Sequence, residues 1–426
     1  VLLVMIVAFW HHSPPIRDNW VWLLWLALPL FRLRMFTRGR IWTWTPLNDW
    51  LLLFILLTAL NDAFAPYSRA SYIVVVSRPL LGIWLYLYFL EHARTFRKMD
   101  FLLVASVGMG AVLAFLALTA TQWTTDKGAE LAFITDALPH IDYRTWGQFF
   151  ANMLLGFNPN EIAGALAWMT PLLAGIALTR KPGAGAGWRW LRISAGVVFA
   201  LLLLALFLGQ SRFAVGGVIV ALALLGFLRL RGRWRIVALA GVGVIVLLQA
   251  ALLLNVFDVR APDPAGATTG LSSRDQRTFT TRLDIWQRGL QMMLDYPVTG
   301  AGMSMYRGVV GLPQYQIDYY VVNGGTPPHA HNEYIQMGAD LGIPGFVLYI
   351  VWQVVVLWML WQGWRSGDPT LMGIAAAVFA GLLGHAAYGF GDAVTLWDRY
   401  SFILWWLVGL AGAQYVLQRE TEPEKP

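Results

Sequence analysis

Two histidines, an asparagine and a glutamate lie close together in PPHAHNEYIQMG, at residues 327–338. In an extended backbone the side chains of His329, His331 and Glu333 would lie on the same side of the chain, where they could together bind a metal ion. A structural role is a second possibility, and general-base catalysis is a third, because neutral imidazole can accept a proton from an attacking hydroxyl. The sequence has no cysteine, so we predict no metal. We favour His331 as the base, with His329, Asn332 and Glu333 as accessory residues.

The segment between positions 256 and 340 contains six arginines and no lysine. Guanidinium forms a planar bidentate fork that suits phosphate better than the hydrated ammonium of lysine does. A diphosphate ligand would fit this bias. The alternative is that the arginines pair with the eight acidic residues of the same segment. The arginines are Arg260, Arg274, Arg277, Arg282, Arg288 and Arg307.

The segment TRLDIWQRGLQMMLDYPVTGAGMSMY predicts an amphipathic helix followed by a sharp turn. Its apolar residues recur at helical spacing, at Leu283, Trp286, Leu290 and Met293. On such a helix Arg282 and Arg288 lie about 120° apart, so one ligand cannot easily contact both. Asp284 lies one turn before Arg288 and can pair with it, whereas Arg282 has no acid at a favourable spacing. We therefore predict that Arg282 binds the ligand and that Arg288 is an accessory residue.

A third arginine, Arg212 in FLGQSRFAVGG, is predicted at a tight turn between two apolar helices. An ionised side chain at such a place is costly unless it is paired or hydrated, so Arg212 is a second candidate for binding a diphosphate. The alternative is that its side chain extends to the lipid headgroups. Two arginines for a diphosphate and a histidine for a hydroxyl proton together indicate a transferase.

The elements that position these residues are predicted to be membrane helices. Of 426 residues 58% are hydrophobic and 13% charged, and the mean hydropathy is +0.56. This composition excludes an ordinary soluble protein, and the positions of the basic residues in loops do not favour nucleic-acid binding. A spanning helix needs about 20 apolar residues, and we predict an all-α polytopic protein with about twelve. They lie near 1–10, 19–31, 48–61, 71–90, 101–121, 160–179, 190–209, 212–229, 235–255, 342–361, 370–389 and 399–417.

Arginine-rich stretches follow the even-numbered helices, which places these loops and both termini in the cytoplasm. The stretches are RLRMFTRGR, EHARTFRK, TRKPGAGAGWRWLR and RLRGRWR. The longest loop then faces outward and carries the histidine segment, and a loop of this length is expected to be functional. The predicted organisation is nine helices in residues 1–255, a large external loop with amphipathic helices in 256–341, and three helices with a short tail in 342–426.

Three motifs occur in order along the chain. They are SRFAVGG at 211–217, RLDIWQRGLQMMLDYPVTGAGMSMY at 282–306 and HAHNEYIQMGADLGIPG at 329–345. In this order they resemble the O-antigen ligase and O-antigen polymerase superfamily. The resemblance covers residues 155–415, includes FNPNEIAG at 157–164, and is limited to hydropathy in the N-terminal third.

The resemblance implies a bundle related to the C-type membrane glycosyltransferases, with a large periplasmic loop and neither metal nor nucleotide cofactor. Ligase members transfer O-antigen from undecaprenyl diphosphate to a sugar hydroxyl of the lipid A-core, at the periplasmic face of the bacterial inner membrane. By motif, the family's two arginines fall on Arg212 and Arg282, and its histidine falls on His331. Asp392 and Asp398, in FGDAVTLWDR, are further candidates for binding sugar.

The residues and the resemblance predict the same chemistry, an inverting displacement in which His331 takes the acceptor proton and the arginines neutralise the diphosphate. An O-antigen polymerase and a protein O-oligosaccharyltransferase are alternatives within the same superfamily. A transporter is an alternative of another class. It would need ionisable groups or broken helices near the bilayer midplane, where Asp49 and His385 are the few candidates.

Overall fold

The computed structural model describes residues 43–67, 73–121, 158–229 and 273–421, with a few positions at 134, 138 and 232–244. All regular elements in these ranges are helical. The first two predicted helices, most of the ninth and most of the loop at 122–157 lie outside the described residues.

The described helices follow the order of the predicted spans. They are α1 (Asn48–Phe64), α2 (Ile73–Phe96), α3 (Asp100–Ala120), α4 (Pro159–Leu178), α5 (Ala186–Gly209), α6 (Arg212–Arg229), α7 (Ser273–Asp295), α8 (Tyr306–Val309), α9 (Asp318–Asn323), α10 (Glu333–Trp364), α11 (Pro369–Tyr388) and α12 (Ser401–Thr421). Seven of these, α3 to α6 and α10 to α12, are long and apolar enough to span a membrane. The prediction of an all-α polytopic membrane protein is therefore confirmed, and the count of twelve stays a prediction.

Small residues let the central helices pack closely. Gly217 of α6 lies so near the carbonyl of Gly384 in α11 that no Cβ would fit, and Gly175 of α4 lies equally close to Ala377 of α11. Small residues at membrane-helix interfaces allow such backbone contact. The start of α6 and the end of α11 consequently lie side by side, which places Arg212 near the turn that follows α11.

Polar contacts show which helix ends share a face of the bundle. Lys181 Nζ, after α4, lies 2.7 Å from an oxygen of Asp100 at the start of α3. Arg229, at the end of α6, donates to the hydroxyl of Thr179 at 3.3 Å. The opposite face, called here the site end, contains the starts of α4, α6, α10 and α12 and the end of α11. This alternation agrees with the order of loops predicted from the arginine stretches.

Helix α10 begins inside the segment predicted as loop. Asn332 caps it, because its Oδ1 accepts the backbone N–H groups of Tyr334 and Ile335 at 3.1 and 3.0 Å. Gly342, with φ of 72°, then interrupts the helix where its backbone lies against the carbonyl of Pro297. The predicted helix start at 342 is therefore wrong, and that position is instead a break within α10.

The predicted amphipathic helix is present as α7, but its buried face differs from the predicted one. Ile285, Gly289 and Met292 are buried, whereas Leu283 and Leu290 remain 45% and 43% exposed. Gly289 explains the difference, because a Cβ there would overlap the side chain of Ile335 in α10. The closest approach of the two helices is set by a glycine and not by the large apolar residues.

Candidate active site

Four segments meet at the site end: the start of α6, helix α7, residues 329–333 and the turn 389–392. The guanidinium of Arg282 in α7 lies over the ring of Phe213 in α6, 4.8 Å from its centroid. The same ring packs against Gly391, where a Cβ would not fit. The backbone N–H of Glu333 donates to Gly389 O at 2.8 Å. These contacts bring together five of the predicted site residues, namely Arg212, Arg282, His329, His331 and Asp392.

His331 is held in an orientation that suits a general base. Its Nδ1 lies 3.1 Å from Oδ1 of Asp392, and because a carboxylate only accepts hydrogen bonds, Nδ1 carries the proton. Among the described residues none hydrogen-bonds to Nε2, which therefore offers its lone pair. The indole of Trp286 donates to the carbonyl of His331 at 3.2 Å, and the backbone of His331 has φ of 47°, a conformation that few residues other than glycine adopt.

His329 has a different hydrogen-bonding role from His331. The backbone N–H of His331 donates to Nδ1 of His329 at 3.2 Å, so the proton of the neutral ring is on Nε2. Nε2 lies 3.6 Å from Oδ1 of Asp392. Burial lowers the pKa of His329 to about 4, against the opposing charge of Asp392. His329 is thus neutral near pH 7 and presents an N–H, which is a donor and not a base.

Asp392 is ionised and buried. Burial alone would raise the pKa of Asp392, but the hydrogen bond from His331 and the charges of the two histidines and Arg282 outweigh it and hold that pKa well below its usual range. Its Oδ1 contacts His331, so its structural place is beside the predicted base. The sugar-binding role predicted for Asp392 stays a prediction.

The two predicted phosphate-binding arginines lie near each other. Arg212 is exposed at the first residue of α6. Burial lowers the pKa of Arg282, the nearby charge of Asp392 opposes this, and that of Arg212 adds to it. Two neighbouring guanidinium groups repel each other, and an anion that contacts both would relieve this repulsion. The geometry therefore suits a diphosphate.

Arg288 points to a different part of the molecule from Arg282. Its Nε donates to the carbonyl of Gln316 at 3.2 Å and its Nη1 to the side chain of Gln291 at 3.1 Å. These contacts replace the predicted pair with Asp284. Of the other arginines between 256 and 340, Arg307 lies at the cavity described below, and Arg260 and the side chains of Arg274 and Arg277 lie outside the described residues.

Glu333 does not join the two histidines, contrary to the predicted arrangement. It is the first residue of α10 and turns into the bundle, where its Oε2 lies 2.9 Å from Nε2 of His385. Tyr349 donates to its other oxygen. His385 in turn lies 3.3 Å from the carbonyl of Gly164 through Nδ1 and stacks on Trp168 at 3.5 Å between ring centroids. Glu333 and the capping residue Asn332 therefore fix the start of α10.

Asp392 takes the place that Glu333 was predicted to hold beside the histidines. Ligand atoms of His329, His331 and Asp392 lie within 4.8 Å of one another, a set that could hold a metal ion. Nδ1 of each ring already makes a hydrogen bond, so a metal bound at Nδ1 would have to replace it, whereas a metal bound at Nε2 would not. The prediction of a site without metal stays a prediction.

A cavity of about 730 Å³ opens at the site end, beside the histidine segment. Its walls include His329, Trp397 and Asp398. Asp398 is thus separate from the His331–Asp392 pair. Two further wall residues, Glu161 and Arg399, form a two-point ion pair with N–O distances of 3.1 and 3.0 Å.

Sequence reasoning missed several residues of the site end. Trp286 was assigned only to an apolar face, although its indole supports His331. Phe213 gave no signal beyond its place next to Arg212. The guanidinium of Arg78 donates to the carbonyl of Trp397, which lies 319 residues later in the chain. No sequence periodicity relates two residues so far apart.

These observations define an all-α, multi-pass membrane protein whose site end combines two arginines with a histidine–carboxylate pair. Residues 197–350 match the family model described as O-antigen ligase. The match includes Arg212, Arg282 and His331 and ends before Asp392. No curated protein matched the chain. The resemblance to the ligase and polymerase superfamily is confirmed.

Proposed function

We propose that this protein is an O-antigen ligase that transfers a polysaccharide from undecaprenyl diphosphate to a sugar hydroxyl of the lipid A-core. The reaction takes place at the periplasmic face of the inner membrane. The contact between His331 Nδ1 and Asp392 carries the proposal, because it leaves Nε2 of His331 available beside Arg212 and Arg282. No other pair among the described residues combines an available imidazole nitrogen with neighbouring arginines.

The proposed reaction is a single displacement. Nε2 of His331 takes the proton of the acceptor hydroxyl as its oxygen attacks the anomeric carbon of the donor. The bond from that carbon to the diphosphate breaks, and the diphosphate leaves with the electron pair, neutralised by Arg212 and Arg282. Asp392 holds the imidazole in the required tautomer and stabilises the imidazolium that forms. One displacement inverts the configuration at the anomeric carbon.

The proposed reaction requires no cofactor. The donor already carries a diphosphate leaving group, so neither a nucleotide nor a metal is needed to activate it. Purified protein is therefore expected to retain its rate in EDTA. A rate that disappears in chelator and returns with one divalent ion would instead assign a metal to His329, His331 and Asp392.

The test is transfer in a reconstituted system that contains lipid-linked glycan and a lipid A-core acceptor. We expect His331→Ala to lower the rate by about 10²- to 10⁴-fold and to leave donor binding unchanged, since the arginines hold the diphosphate. His329→Ala is the matched control and should have a milder effect. An active His331→Ala with an inactive His329→Ala would reverse the two roles, and activity in both would make the histidines structural.

A strain that lacks the gene separates a ligase from a polymerase. Loss of a ligase leaves long glycan on the carrier lipid and none on lipopolysaccharide. Loss of a polymerase leaves lipopolysaccharide that carries a single repeat unit. Electrophoresis of lipopolysaccharide together with analysis of the lipid-linked pool distinguishes the two outcomes.

A further inference from the structure

The cavity at the site end has the size and lining of a saccharide site. Its volume of about 730 Å³ is in the usual range for ligand sites. Charged and polar side chains make up most of its wall, which excludes a lipid tail as its natural occupant, because burial of polar and charged groups against hydrocarbon is costly. Trp397 also belongs to the wall, although only 5% of the residue is exposed.

The cavity adjoins the proposed base through His329, and the two arginines proposed to bind phosphate do not line it. His329 belongs to its wall, and the ring of His329 lies 4.4 Å from that of His331, centroid to centroid. Neither Arg212 nor Arg282 is among the described residues that line it. A donor diphosphate at the arginines and a second ligand in the cavity would therefore meet at the histidines.

The charge of the cavity wall is positive. Arg78, Arg307 and Arg399 line it together with two acids. One acid, Glu161, binds Arg399 through two N–O contacts, and the other, Asp398, interacts with the charge of Arg78. Arg307 is exposed at the start of α8, and no acid among the described residues pairs with it. This arginine is available to an anionic group on a bound sugar.

We propose that the cavity binds the acceptor saccharide, and that Arg307 gives it a preference for a saccharide that carries phosphate or carboxylate. The inference rests on the proposed transfer reaction, since it is the reaction that defines an acceptor. The donor glycan is the other saccharide that could occupy the cavity, and the experiment separates the two.

The binding experiment compares two ligands on the full-length protein in detergent. The ligands are a delipidated core oligosaccharide that carries phosphate groups and the same oligosaccharide after removal of its phosphates. We expect Arg307→Gln to weaken binding of the phosphorylated form by about tenfold or more and to leave the dephosphorylated form unchanged. Arg365→Gln, an exposed arginine at the opposite end of the bundle, is the matched control and should bind both forms as the wild type does.

The kinetic experiment assigns the cavity to acceptor or donor. With Arg307→Gln the KM for a phosphorylated acceptor should rise about tenfold, while kcat and the KM for the donor stay unchanged. A rise in the donor KM alone, or equal affinity of wild type and Arg307→Gln for the phosphorylated oligosaccharide, would overturn the inference. Absence of transfer in the wild type would refute the proposed function instead, and the binding experiment would still decide whether the cavity holds an anionic saccharide.

Discussion

Within the described part of the chain, two histidine–carboxylate pairs with short contacts have similar geometry and very different surroundings. His331 and Asp392 lie 3.1 Å apart at the site end, and His385 and Glu333 lie 2.9 Å apart within the bundle. His331 keeps one ring nitrogen without a hydrogen bond to any described residue, and its side chain is 20% exposed. His385 contacts protein atoms through both nitrogens and is 4% exposed.

The difference shows that a short histidine–carboxylate distance does not by itself make a base. A base needs a ring nitrogen that a substrate can reach, and only the outer pair provides one. The inner pair instead ties the first residue of α10 to α11, and that tie positions the neighbouring histidine segment. Substitutions in the outer pair should therefore change the rate, and those in the inner pair should mainly change stability.

The largest effect is expected for Asp392→Asn. The asparagine can accept from His331 but cannot stabilise its protonated form, so the transfer rate should fall by about 10²- to 10⁴-fold. Donor binding should stay close to that of the wild type. A variant that transfers glycan normally would show that the outer pair is no more catalytic than the inner one.

His385→Ala should mainly change stability. It leaves the carboxylate of Glu333 buried without its partner and removes the ring that stacks on Trp168, a loss of about 3–5 kcal/mol. Thermal unfolding in detergent measures this loss, and the rate per folded molecule should fall far less than in Asp392→Asn. A folded His385→Ala protein as inactive as Asp392→Asn would contradict the distinction between a structural inner pair and a catalytic outer pair.

Arg282→Lys tests whether the outer site uses geometry as well as charge. Lysine keeps the charge but loses the bidentate fork, so the transfer rate should fall by about tenfold to a hundredfold, with Arg282→Ala lower still. Arg212→Lys and Arg212→Ala should lower the transfer rate as the corresponding Arg282 variants do. Arg288→Lys serves as the control, because the contacts of Arg288 are with Gln316 and Gln291. Near-normal transfer by Arg282→Lys would show that charge alone suffices.

The smallest effect concerns acid stability. Burial lowers the pKa of His329 to about 4 from a usual value near 6.5, so between these values the unfolded chain binds more protons than the folded one. The contribution of neutral His329 to the free energy of unfolding is fully present above about pH 6.5 and is lost as pH falls. The lowered pKa of Asp392 acts in the same direction at lower pH.

His329→Asn should remove part of this acid sensitivity, about 1–2 kcal/mol between pH 7 and 4.5 once the partial exposure of the ring is considered. Unfolding of wild type and variant in detergent over this range measures the effect. Parallel losses of stability in the two proteins would contradict it and would place the titration elsewhere in the molecule.

Much of the fold could be predicted, because membrane-spanning helices need long apolar segments and the loops between them carry the charged residues. The end of α5, the bounds of α6 and the two-residue turn between them match the hydropathy and the motif around Arg212, whereas α5 begins four residues before its predicted start. The start of α10 could not be predicted from hydropathy, because its first turn is polar and is defined by the cap of Asn332. The buried face of α7 depends on Gly289, whose role becomes visible only against Ile335.

The residues of the site could be predicted from their types and local motifs, whereas the side chains that contact them were predicted less well. Arg212, Arg282 and His331 stand in local motifs, and the structure brings them to one end of the bundle. The sequence predicts Glu333, two residues from His331, as the carboxylate beside the histidines, whereas the structure supplies Asp392 from beyond α11. Adjacency in sequence misled here, because a helix that begins at Glu333 turns that side chain inward.

The break at Gly342 has a consequence for how the protein responds to its lipid environment. A membrane helix accommodates a thicker or thinner bilayer by changing its tilt. In α10 only the part after Gly342 needs to tilt, since the first turns are held by Asn61, which donates to Asp340 O at 3.1 Å, and by the Glu333–His385 pair. Transfer rates measured in bilayers of increasing acyl-chain length should therefore vary little.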